Sequence, residues 1–127
     1  MELQDFYAQV PLHDGTVEIA ADRAVHTVLV AMACHLTPRE AKELAAVLPR
    51  ELRAVVVEGC KEEPHEFDRD AFIEEVASRL DLDDDEAEHA ALAVLGAIRD
   101  GIHPRYTAEQ VIEALPSDLA HLIHESP

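Results

Sequence analysis

Apolar side chains recur along this chain at intervals of three and four residues, the period of helices facing a core. From Val17 the series Val17, Ala21, Ala24, Val25, Val28, Leu29, Met32 and Leu36 traces one helical stripe, and Ala87, Ala90, Ala91, Val94, Leu95 and Ile98 repeat it. Val30 and Ala33 carry the first stripe beyond one face, as a central helix would need. That breadth also leaves apolar surface for a dimer contact. The spacing predicts helices over residues 3–10, 17–36, 38–47 and 49–58, then over 68–80, 84–100, 107–114 and 116–125. The segment GCKEEPHEF joins the two sets.

Start and stop signals fall at these boundaries. Thr37 with Glu40 reads as a capping box with Pro38 at the first helical position, and Thr107 with Gln110 offers the same chemistry. Asp83 with Glu86 forms a third such pair, and the acids from Asp83 to Glu86 suit the positive end of a helix dipole. Pro49 and Pro116 each follow a leucine and precede a periodic stretch, so each ends one helix and opens a short next one.

Sliding the chain over itself by 66 residues pairs Phe6 with Phe72, Val10 with Val76, Ala24 with Ala90, Val28 with Val94 and Leu29 with Leu95. Pro38 and Arg39 meet Pro104 and Arg105. After one inserted residue the match continues at 67, with Leu48 and Pro49 on Leu115 and Pro116, Leu52 on Leu119 and Val56 on Ile123. The shared positions are apolar or turn-forming, so the repeat is architectural. A half of this size buries only about 60% of its unfolded surface and is marginal alone, so the halves are expected to share a core. The expectation is an all-α compact helical bundle, one domain over 1–127. Its two four-helix halves, 1–59 and 66–126, are joined near 60–65 and related by pseudo-twofold symmetry.

Composition narrows the partners more than the fold. Ten Lys and Arg stand against 27 Asp and Glu, a formal charge of -17, which repels nucleic acid and anionic membrane surfaces. Only two of the ten basic residues, Lys42 and Lys61, are lysines, a balance shared by proteins of salt-loving organisms and by acidic proteins of high-GC genomes. Aromatics make up 4%, so Ala, Val, Leu and Ile must fill the interior and helices can approach closely. No apolar run reaches the roughly 18 residues of a membrane span and no charged-then-apolar leader opens the chain, which points to the cytoplasm. Cys34 lies in an apolar run that favours a buried thiol.

A phenylalanine in the first helix, an Ala-rich second helix with Val-Leu at its centre and the stretch REAKELAAVLPRELR together carry a resemblance. The most specific element is EAxxLxxxLPxxLR, seen as Glu40, Ala41, Leu44, Leu48, Pro49, Leu52 and Arg53. On these residues the chain resembles the bacterial and archaeal family catalogued as domain of unknown function 2267. The second copy departs from the pattern at Thr107 and Ala120. The resemblance implies a fold and brings no catalytic or binding residues.

Candidate chemistry is sparse. His121 and His124, three residues apart on the last helix, could give two metal ligands, with Cys60 or His65 as a third. No Cx2C or HExxH spacing supports them. The other histidines find no counterpart in the repeat: His26 meets Leu92, His89 meets Arg23, His35 meets Gly101 and His103 meets Thr37. The run from Asp81 to Glu86 fails as a calcium loop, because Glu86 stands where glycine is required and Leu92 where a glutamate is required. Cys34 and His35, as helix neighbours, point about 100° apart and make no dyad. The four glycines form no phosphate loop. Arg39 and Arg105, which follow the paired prolines, are expected to tie the helix junctions to a carboxylate or to exposed carbonyls. The functional expectation is therefore a non-catalytic helical interaction module without a cofactor, acting through self-association or a protein partner. The alternative is a metal-binding protein using His121, His124 and Cys60 or His65.

Overall fold

The computed structural model describes residues 3–8, 10, 21–60, 62–63, 66–101 and 105–125, and of residues 105–108 the backbone. Its described residues form eight helices and no strand: α1 (Leu3–Ala8), α2 (Ala21–Ala33), α3 (Pro38–Ala45), α4 (Arg50–Gly59), α5 (Arg69–Leu80), α6 (Asp84–Gly101), α7 (Arg105–Glu113) and α8 (Ser117–Glu125). The expected start of the second helix at residue 17 lies outside the described residues. Its end comes at Ala33 and not at 36, because the chain tightens into i to i−3 bonds: His35 N donates to Met32 O at 3.0 Å and Leu36 N to Ala33 O at 3.0 Å. That tightening frees Thr37 for the extended conformation an N-cap requires.

Caps form where the residue types demanded them. Thr37 Oγ1 accepts from Glu40 N at 3.2 Å while Glu40 Oε1 accepts from Thr37 N at 2.8 Å. Asp83 Oδ1 accepts from Glu86 N at 2.8 Å and Glu86 Oε1 from Asp83 N at 3.3 Å, so the acid run is a helix start. The Thr107 expectation is corrected, since α7 is already wound at Arg105 and a residue with helical backbone cannot serve as an N-cap. Helix α5 ends on Asp81, whose φ of 57° is left-handed, with Leu82 N donating to Ala77 O at 3.0 Å in the six-to-one bond of a Schellman turn.

Helix α2 lies against α1, α4, α5 and α6, and α6 in turn lies against α1, α2, α5, α7 and α8. The broad apolar surface of α2 is therefore consumed within the chain, which removes it as a dimer contact. Ala24, Val25, Val28, Leu29, Ala31 and Met32 of α2 join one cluster of buried side chains with Phe72, Val76, Ala90, Val94, Leu95 and Ile123. Positions related by the repeat shift are buried alike: Phe6 and Phe72, Val10 and Val76, Val28 and Val94, and Leu29 and Leu95 are all fully buried. The two proline turns also match, with Leu48 N on Ala45 O at 3.2 Å and Leu115 N on Ile112 O at 3.1 Å. Among the described residues no helix is long and apolar enough to cross a membrane.

Candidate functional site

A cleft of about 580 Å³ opens where the chain entering α5 meets α8. Glu66, Phe67, Asp68 and Arg69 form one wall; Asp118, His121, Leu122 and Glu125, on one face of α8 at helical spacing, form the other. Phe67 and Leu122 are buried and give the floor. Phe67 is held between two rings, with His35 edge-on at 5.3 Å and Phe72 at 5.4 Å. His35 is thereby a packing residue that fastens the end of α2 to the entry of α5. Asp68 caps α5, its Oδ1 accepting from Asp70 N at 3.2 Å.

Arg69 organises the cleft. Its guanidinium donates to Glu88 Oε1 on α6 at 2.6 Å and to Glu125 Oε2 on α8 at 2.6 Å, so one side chain joins three helices. The hydrogen bond it donates to Glu88 raises its pKa above the ordinary arginine value, and the negative charge of Glu125 adds to the effect. The sequence reading missed this residue. Its only signal was the set Asp68, Arg69, Asp70, which suggests local pairing, whereas the true partners lie 19 and 56 residues away. Nearby, Arg99 donates to Ile123 O at 3.1 Å and to Asp100 Oδ1 at 3.0 Å, a second tie onto α8.

The metal candidates fall in different places. His121 lines the cleft; His124 is exposed on α8 and is not part of its lining. Cys60 ends α4 half-buried, its thiol donating to Val57 O at 3.0 Å. His65 lies outside the described residues. Among the described residues no three His, Cys, Asp or Glu side chains gather as a metal would require. Cys34 is half-buried and not fully buried, with its thiol on Ala31 O at 3.2 Å, in the tight turn that follows the last residue of α2.

Arg39 does not perform the junction tie expected of it. It is 89% exposed and pairs only loosely with Glu43 on its own helix, at 3.6 Å. Arg53 performs that tie, its Nε donating to Leu48 O at 3.4 Å, the carbonyl just before Pro49. A proline cannot donate to the preceding helix end, so the exposed carbonyl there takes a side-chain donor one turn ahead. The side chain of Arg105 lies outside the described residues.

The arrangement holds an acidic groove whose guanidinium is already engaged by two carboxylates, a geometry that fixes helices and leaves no charge-matched pocket for an anion. Comparison with curated proteins returns no match. The family described as "Uncharacterized conserved protein (DUF2267)" matches residues 4–122, nearly the whole chain, including both proline turns and the cleft residues up to Leu122; the chain belongs to this family.

Proposed function

We propose that this chain is a non-catalytic helical interaction module that works through self-association or a protein partner. We further propose that its two four-helix units, 1–59 and 66–126, form one domain about a pseudo-twofold axis. The packing supports that symmetry: α1 touches α2 and α6, and α5 touches α6 and α2, the exchange a twofold relation produces.

The observation that carries the functional reading is how the charged side chains are used. Where they meet in space, as at Arg69 with Glu88 and Glu125, they fasten helices. Elsewhere they cover an exterior that is dense in Asp and Glu. A formal charge of -17 turns that exterior away from phosphates and anionic headgroups and leaves proteins as its natural partners.

The test is isolation of the untagged protein from its native cells, with co-isolated proteins identified and metals measured by elemental analysis. A stoichiometric protein partner, or a dimer, is the expected outcome. A monomer carrying a stoichiometric transition metal would reverse the reading in favour of metal binding.

A further inference from the structure

We infer that the outer face of α4 is a self-complementary docking surface on which a second copy of this chain pairs antiparallel about Ala54. This inference rests on the interaction reading above and names its surface and partner.

Helix α4 is held to the body by Leu52 and Val56, both buried, and packs on α2 and α3. Its opposite side presents Arg50, Ala54, Val57 and Glu58 to solvent, and Val57, at 38% exposure, is the large apolar side chain exposed among the described residues. The charge around it is unusual for this molecule. Residues 38–59 hold Arg39, Lys42, Arg50 and Arg53 against Glu40, Glu43, Glu51 and Glu58, so this limb is neutral while the whole chain stands at -17. The rest of the chain holds six Lys and Arg against 23 Asp and Glu, so copies approaching through it bring net acid against net acid. Approaching through α4 they do not.

The order of residues on α4 then selects the geometry. Ala54 is small and sits midway between Arg50 and Glu58, four residues from each, or about 6 Å along the axis in either direction. A twofold axis through Ala54 with the helices antiparallel places Arg50 of each copy level with Glu58 of the other, giving two equivalent ion pairs. The pair Ala54 and Val57 lets the backbones approach and covers the exposed valine. Arg53 is turned aside by its bond to Leu48 O and is not spent in the contact. A parallel pairing would set Arg50 beside Arg50 and lose this match.

Sedimentation equilibrium of the untagged chain over ~10–500 µM tests the surface, because a contact smaller than the usual roughly 800 Å² per partner associates in that range. The expected result is a monomer–dimer equilibrium. Ala54→Glu, which sets like charges on the axis, should weaken it by about tenfold or more while circular dichroism keeps its helical signal. Arg50→Glu alone should weaken it, and Arg50→Glu with Glu58→Arg should restore it. A wild-type monomer throughout, an unchanged constant in Ala54→Glu, or no recovery in the double variant each overturns the inference. If the wild type is monomeric yet a partner protein is co-isolated from native cells, only self-pairing falls. A monomer with no partner ends both readings.

Discussion

Burial of the Tyr7 hydroxyl raises its pKa above the ordinary 10.0, and the charges of Asp22 and Glu51 push it the same way. The folded protein therefore holds that proton more tightly than the unfolded chain does. Its contribution to stability is complete below pH 10 and is lost as pH rises through the folded value. Urea midpoints measured between about pH 8 and pH 11 should fall more steeply for the wild type than for Tyr7→Phe, and parallel curves would refute the assignment. Single residues were the least legible scale in the sequence. Arg39 was singled out because it recurs after the paired prolines, yet it points to solvent, and Arg53 makes the junction bond instead. Arg53 was in view only as the last letter of the family pattern. Which arginine reaches a carbonyl depends on the angle at which α4 leaves the turn, and spacing along the chain does not encode that angle.

Elements were legible because each one has a local cause. Apolar periodicity anticipated the eight helices found among the described residues, and the Thr37 and Asp83 capping boxes formed as their residue types required. The errors lie at boundaries. Helix α2 stops three residues early in a tightened turn, and α7 starts two residues early and takes Thr107 inside the helix. How closely two helices approach is an element-scale fact that composition only hinted at. A Cβ added at Gly59 would sit 2.7 Å from Ala33 Cβ, and both atoms are fixed to backbone. Gly59→Ala should therefore cost about 1–3 kcal/mol in urea unfolding, more than any gain in helix propensity at the last residue of α4. Ala33→Gly in the same chain should recover much of that loss, because it reopens the α2–α4 contact. Failure of that rescue would place the strain elsewhere.

At the scale of the whole molecule the charge of -17 opposes compaction, while Arg69 and Arg99 pull α8 onto α5 and α6. The Arg69 pairs are about half exposed, and pairs of that kind contribute roughly 0–1 kcal/mol each, so global repulsion outweighs them. Salt shortens the screening length from about 10 Å at 0.1 M to about 3 Å at 1 M, and the thermal midpoint should rise across that range. A falling midpoint would show that the ion pairs dominate instead. The sequence alone determined the helical class, the order and approximate span of the described helices, and most of the apolar side chains that enter the core. Those properties follow from the period of apolar residues and from contacts within one turn, which are local. Only the tertiary structure decided that α2 spends its apolar surface inside the chain, that Arg69 bridges Glu88 and Glu125, and that His121 faces a cleft while His124 does not. Each of these depends on the relative placement of helices distant in sequence, which is set by the packing of the whole core at once.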